Sequence, residues 1–506
     1  MSAPDTVATL ARGHAPDRPA VVCGDRALTY GELDRAAERI ARALHAAGLR
    51  PGARVAFLGV ESVDYYATFL GCAKSATVLV PINFRLTPAE IEHILADSGA
   101  AVLIADAELR ERLGELPGVL SVGTGEFAAW YRQHPAEAPE VAVDAETPLI
   151  QLYTSGTTGL PKGVVLAHRS FFAVRRALAA AGQRWIDWRP GDIGLIGIPG
   201  FHVGGIWWAA QGLAAGATMV AMPRFDATTA VRLIRERGIT TVCVVPAMLR
   251  LMLAEPGADR DAFATVRKLV YGGSPISESL LAAAMSAMGC EFAQIYGLTE
   301  TGNTAVCLPP GEHYPGSPRL QAAGRAYPGF AVRVTDERGD PLPPGRVGEV
   351  WLRTPGHMLE YWRRPDATAA TLVDGWIRTG DAGYLDDEGY LFLCDRLQDM
   401  IIVAGENIYP AEVENAIAGH PAVADVAVVG APDDRFGERV HAFVAVRPEQ
   451  SVSARELFVH CTGRLAGYKI PARFEFVDRI PRNPSGKILR RELREPLWPS
   501  GVRRIG

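Results

Sequence analysis

Apolar residues recur along this chain in two alternating rhythms. Leu33, Ala36, Ala37, Ile40 and Leu44 repeat at helical spacing up to Gly48. Just ahead of them Thr29-Tyr-Gly-Glu32 has the form of a capping box. Arg54-Val-Ala-Phe-Leu-Gly59 reads as a strand, followed by a helical stretch and then Thr77-Val-Leu-Val80. Thr87-Pro-Ala-Glu90 combines an N-cap, a proline at the first helical position and a capping-box glutamate. The apolar run Ala101-Val-Leu-Ile104 is strand-length. Such alternation predicts α/β layers with largely buried sheets. Residues 123–147, rich in Glu, Ala and Pro, read as a surface connection. The alternation then resumes with a helix over 230–237 and strands over 240–245 and 268–271.

Two changes of texture divide the rest. Over 332–393 the pattern becomes short strands and turns such as Glu337-Arg-Gly-Asp340, which predicts a smaller β-rich subdomain. Around Asp395-Arg396 comes a domain boundary, placing one domain over 1–395 and a second over 396–506. The second reads as compact α+β: a helix from Ala411, strands over 423–429 and 441–446, a helix from Ser453 and a strand over 474–477. No charged residue lies between Asp192 and Arg224, a span long enough to cross a bilayer. Pro199, His202, Gln211 and repeated glycines interrupt it, so a buried strand–loop–helix unit lining a cavity is the better reading.

Composition narrows the class. The 506 residues are 48% hydrophobic and 22% charged, as in ordinary soluble proteins, and too many for a single core. A formal net charge of −5 gives no reason to expect a nucleic-acid partner. Seven cysteines are scattered without a C-x-x-C pair, which fits reduced thiols in a cytoplasmic protein better than a metal or disulfide framework. The N-terminus carries no basic region followed by an apolar run, so secretion is not expected.

The chemistry begins at Tyr153-Thr-Ser-Gly-Thr-Thr-Gly-Leu-Pro-Lys-Gly163. Hydroxyls of Thr154, Ser155, Thr157 and Thr158, with the loop's N–H groups, can donate to a polyphosphate. Gly156 and Gly159 permit turns and close approaches that a Cβ forbids, and Lys162 supplies a compact positive charge. The Walker pattern G-x-x-x-x-G-K-[ST] is absent. This order of residues resembles the phosphate loop of the adenylate-forming superfamily, which includes acyl-CoA synthetases, peptide-synthetase adenylation domains and luciferases. Further motifs follow in that superfamily's order, so the resemblance spans nearly the whole chain.

The resemblance assigns roles residue by residue. Gly272-Gly-Ser-Pro275 and Gln294-Ile-Tyr-Gly-Leu-Thr-Glu300 resemble segments flanking the adenine and the acyl adenylate. Gly273, Ser274, Pro275 and Gly297 would let a flat base or acyl group pack on the backbone, with Leu298 on the acyl side. Tyr296 would stack on adenine, Thr299 would hydrogen-bond a phosphate, and Glu300 would hold Mg²⁺, a hard cation suited to carboxylate and phosphate oxygens. Trp376-Ile-Arg-Thr-Gly-Asp381 is close to a W-x-x-T-G-D element whose acid binds the ribose. Arg396 resembles the junction arginine that reaches ribose or phosphate. Two residues on, the superfamily's usual hinge Asp or Lys is replaced by Gln398, a departure compatible with domain rotation because a hinge needs tolerant backbone dihedrals more than a charge.

Pro481-Arg-Asn-Pro-Ser-Gly-Lys487-Ile-Leu-Arg490 matches the terminal motif, making Lys487 the leading catalytic candidate. Val403-Ala-Gly-Glu-Asn-Ile-Tyr-Pro410 resembles the loop that forms a pantetheine tunnel, with Gly405 leaving room and Glu406 and Asn407 offering polar groups. Pro199-Gly-Phe-His-Val-Gly-Gly205 sits where the superfamily places its substrate loop. There His202 either orients the acyl carboxylate or packs in the core, and Val203 and Gly204 border it. Phe201, Trp207 and Trp208 are equally readable as acyl pocket or core. The implied fold is α/β: a large N-terminal domain of layered α/β subdomains with a small β-rich subdomain, then a small mobile α+β C-terminal domain. The implied activity is a carboxylate–CoA ligase using ATP, Mg²⁺ and coenzyme A through an acyl-AMP. The alternative passes the activated acyl group to an amine or a carrier-protein thiol. An amino-acid adenylation domain fits less well, because this loop lacks an acid to bind an α-amine and no carrier module follows Lys487.

Overall fold

The computed structural model describes residues 6–154, 161–396, 399–403, 406–433, 435–483 and 486–498, without the side chains of residues 395, 396, 407 and 437. Both capping boxes form. Thr29 accepts from the Glu32 amide ahead of helix Tyr30–Ala46, and Thr87 does the same for Glu90 ahead of Pro88–Ser98. Each satisfies an N–H left without an intrahelical acceptor.

Two large sheets carry the N-terminal part. A nine-stranded sheet runs from Arg325–Ala326 through Val306–Leu308, Glu291–Tyr296, Lys268–Gly272, Thr241–Val244, Ile193–Ile196, Thr218–Ala221 and Pro19–Cys23 to Arg26–Thr29. Its central pairings are parallel. The parallel strands and the helices between them bury it on both faces, which is why they read as continuous apolar runs. A seven-stranded sheet pairs Arg54–Leu58 with Val78–Pro81 and Val102–Ala105, and includes the hairpin Pro148–Thr154/Lys162–Ala167. A five-stranded sheet over 331–396 is antiparallel. Its last strand, Leu391–Arg396, ends just before a fourth sheet that begins at Ile401–Val403 and has a core of its own around Ile401, Val413, Val428 and Leu457.

The uncharged segment resolves as strand Ile193–Ile196, a loop, and helix Val203–Ala214. Trp207 and Trp208 are buried in the main core, and the Trp208 indole donates to the Leu195 carbonyl at 3.1 Å. They are core residues. Among the described residues no helix is long and apolar enough to cross a membrane. The connection over 123–147 is only partly loop, because Thr124–Arg132 forms a helix. Phe127 and Tyr131, one helical turn apart, bury themselves in the core, and that spacing outweighs the polar composition around it.

Candidate functional site

The hairpin register sets Thr154 opposite Lys162. Gly163, next to the lysine, leaves room for the Gln151 side chain: a Cβ would lie 2.6 Å from its amide nitrogen. The Lys162 ammonium sits 5.4 Å from the ring centre of Tyr361, whose hydroxyl donates to Glu300 Oε1 at 2.6 Å. The hairpin cation and the proposed metal acid therefore meet around one tyrosine. Thr299 and Glu300 lie in the short 3₁₀ turn Thr299–Thr301.

A second group gathers where the parallel strands end. A Cβ on Gly272 would stand 2.3 Å from the Ile295 carbonyl, and one on Gly297 2.5 Å from that of Asn303. Both glycines permit close backbone packing, while Gly273 turns the chain at φ +82°. The Tyr296 hydroxyl donates to Asp381 Oδ2 at 2.6 Å. Asp381 is buried, its amide donates to Thr379 Oγ1 at 3.0 Å, and it pairs with Arg396 in the strand ladder. The charge-assisted bond between Tyr296 and Asp381 fixes both of those side chains.

Lys487 arrives from the small domain. The Asn483 amide donates to the Lys487 carbonyl at 2.8 Å, and the Lys487 amide donates to Asn483 Oδ1 at 2.8 Å. Gly486 turns at φ +81° against Ala247 of the large-domain helix Pro246–Ala254. A cavity of about 660 Å³ results, lined by Gly273, Ser274, Pro275, Tyr296, Gly297, Leu298, Asp381 and Lys487 together. Lys162, Thr154, Thr299, Glu300, His202, Val203, Gly204 and Glu406 are not among its lining residues. Glu406 is exposed, at the start of strand Glu406–Ile408. Ser155, Gly156, Thr157, Thr158, Gly159, Gln398 and Gly405, and the side chains of Arg396 and Asn407, lie outside the described residues.

His202 stands just before helix Val203–Ala214, its ring tilted against that of Phe201 with centres 4.7 Å apart. Burial first, and the Arg85 charge second, push its imidazole down to about 4, so it is neutral at ordinary pH. Its Nε2 is buried with no partner among the described residues. Two further residues escaped sequence reading. Asn303 has φ +96° and a buried Nδ2 without a described partner, and its Oδ1 would lie 3.6 Å from a Cβ on Gly204. Glu61 is buried beneath the same loop, accepting from the Gly200 amide at 2.9 Å and from the Tyr66 hydroxyl. Tyr65 completes the cradle by donating to the Gly200 carbonyl at 2.6 Å. Burial pushes the Glu61 carboxyl up to about 7, the two hydrogen bonds offsetting only part of that. No local motif marks it, since its partners include a loop 139 positions away.

Family models match this architecture in two pieces, the AMP-binding enzyme over residues 9–362 and the AMP-binding enzyme C-terminal domain over 412–487. The chain belongs to the AMP-binding enzyme family. Within the adenylate-forming superfamily it falls in the acyl-CoA synthetase branch. It is 60% identical over 497 residues to the fatty acid–[acyl-carrier-protein] ligase ScoC of Streptomyces coeruleorubidus, covering 97% of this chain and 96% of that one. To the long-chain-fatty-acid–CoA ligase FadD13 of Mycobacterium tuberculosis it is 39% identical, over 93% of each chain. The crystal structure of ATP-bound MatB from Rhodopseudomonas palustris is similar at a TM-score of 0.90 and 28% identity, over 98% of this chain and 99% of that one.

Mg²⁺ is the metal that the resemblance implies. Among the described residues no three His, Cys, Asp or Glu side chains form a metal cluster. A hard cation that keeps phosphate and water oxygens needs only one or two carboxylates. Glu300, near Lys162 through Tyr361, fits that requirement.

Proposed function

We propose that this ATP-dependent acid ligase activates a fatty acid as its acyl adenylate and transfers the acyl group to the phosphopantetheine thiol of an acyl carrier protein. In the first step a carboxylate oxygen attacks the α-phosphorus of ATP and pyrophosphate leaves. In the second the thiol sulfur attacks the acyl carbonyl and AMP leaves. The observation that carries the reading is the single cavity shared by Tyr296, Asp381 and Lys487. Tyr296 would face the adenine while Asp381 accepts from the ribose. Lys487 would supply positive charge where negative charge accumulates between attacking and leaving oxygens. Lys162 would hold the terminal phosphates, with Thr299 hydrogen-bonding one of them. Mg²⁺, held by Glu300, would neutralise phosphate charge. His202, neutral and buried, would orient the acid through its Nε2.

The acceptor rests on likeness. The 60% identity to a carrier-protein ligase extends over nearly the whole chain, whereas likeness to relatives named for CoA stands at 38–39% for feruloyl-CoA synthase and FadD13. Coenzyme A, the first expectation from sequence, remains the second reading on the strength of those relatives. ATP–pyrophosphate exchange over short, long and aromatic acids identifies the acid. Mass spectrometry of holo-carrier protein and of CoA, each offered alone, then reads the acceptor. The proposal expects acylated carrier in large excess. Efficient acyl-CoA formation with an unmodified carrier rejects it in favour of the CoA reading.

A further inference from the structure

Where the small domain meets the large one, two guanidinium groups share a single carboxylate. Arg250, on the large-domain helix Pro246–Ala254, donates to the Ala424 carbonyl of the small domain at 2.6 Å. It also stands 3.5 Å from Asp425 Oδ1. Asp425, in strand Val423–Asp433, is gripped by Arg482 through contacts of 2.8, 3.0 and 3.1 Å. The remaining amino group of Arg482 donates at 2.7 Å to the carbonyl of Gly486, the residue before Lys487. A continuous path therefore runs from the large domain through Arg250, Asp425 and Arg482 to the turn that presents the lysine. Gly486 closes the path on the other side, because its Cβ position lies 3.0 Å from Ala247, one turn before Arg250 on the same helix.

Charge adds direction to this geometry. Burial lowers the Arg250 pKa, Asp425 opposes the shift, and the charges of Arg482 and of Arg447, which also lines the cavity, lower it further. Of the residues that line the cavity five are cationic and three are carboxylates, an excess of positive charge suited to a polyanion.

We propose that Arg250, Asp425 and Arg482 form an interdomain clasp that positions Lys487 for adenylation and opens before acyl transfer. The clasp rests on the role assigned to Lys487 above. These are positioning residues, since each acts through the Gly486 turn. Arg250 is 41% exposed, so its ion pair alone is worth little, and the clasp acts through the hydrogen bonds to the Ala424 and Gly486 carbonyls.

The two half-reactions provide the test in the full-length protein. ATP–pyrophosphate exchange reads adenylation, and synthetic acyl-AMP offered with thiol acceptor, either holo-carrier or CoA, reads transfer. Arg250→Ala should lower exchange about tenfold, the loss of one charged hydrogen bond, while transfer from acyl-AMP stays at the wild-type rate or rises. Arg250→Lys, which keeps the charge, should recover part of the loss. Arg250→Ala combined with Asp425→Asn should lose less than the product of the single losses, because both break one path. Melting curves check folding. If Asp425→Asn does not fold, the Arg250→Ala and Arg250→Lys pair decides by itself. Equal losses in both half-reactions, or unchanged exchange in Arg250→Ala, overturns the clasp while leaving the adenylation reading intact. A wild-type protein silent in exchange with every acid rejects the adenylation reading, and the clasp with it.

Discussion

Lys487 owes its place to its neighbours: a glycine that turns at positive φ, an asparagine that binds its amide, and an arginine that holds the preceding carbonyl. Removing the ammonium alone should leave that turn intact. Lys487→Ala is therefore expected to lower ATP–pyrophosphate exchange by about two to three orders of magnitude, as for a lost transition-state donor. Thioester formation from supplied acyl-AMP should fall far less, and stopped assays of the two steps compare them. Glu61 makes a different prediction. Its carboxyl titrates near 7 in the folded protein against 4.5 ordinarily, so the folded state holds this proton more tightly than the unfolded chain. Its contribution to stability is full below about 4.5 and declines as pH rises through about 7. Melting temperatures measured at about pH 5 and about pH 8 should differ less in Glu61→Gln than in wild type. The catalytic candidates were legible because their motifs are contiguous. Glu61 and Arg250 were not, because their partners are fixed only by the fold: Gly200 lies 139 positions from Glu61, and Ala424 lies 174 from Arg250.

At the scale of elements, helix Val203–Ala214 connects core to site. It starts beside His202 and buries Trp207 and Trp208 at 1% exposure each. Trp207→Ala should destabilise the large domain by about 3–5 kcal/mol, the usual cost of emptying an aromatic core position, as read from denaturant unfolding. Activity should fall with it as the His202 loop loosens. Capping boxes and apolar periodicity announced most helices and strands correctly, since those signals act within a few residues. Helix Thr124–Arg132 was missed because its neighbours carry the composition of a loop, and only docking of Phe127 and Tyr131 stabilises it. The motif containing Gly405 belongs to the same scale. If it forms the pantetheine tunnel, a bulky residue there leaves pyrophosphate exchange near wild type and blocks the thiol step. Survival of both steps removes the tunnel assignment.

For the whole molecule, the small domain's separate core matters most. Leu457 is fully buried within it, on helix Ala454–Cys461. Leu457→Ala should lower the small domain's stability by about 2–5 kcal/mol. Calorimetry should show one transition moving down while the large-domain transition stays in place, whereas a rigid shift of the whole profile would indicate one cooperative unit. Apolar periodicity over a few residues was enough to determine the α/β layers, and contiguous motifs, through their resemblance to a known superfamily, pointed to the family and to polar groups suited to a nucleotide. Which of those groups share a cavity, which histidine nitrogen is left without a partner, and which arginines lock the lysine turn were decided by tertiary structure alone. Those relations depend on distances between segments hundreds of positions apart, and only packed sheets and a docked second domain set them.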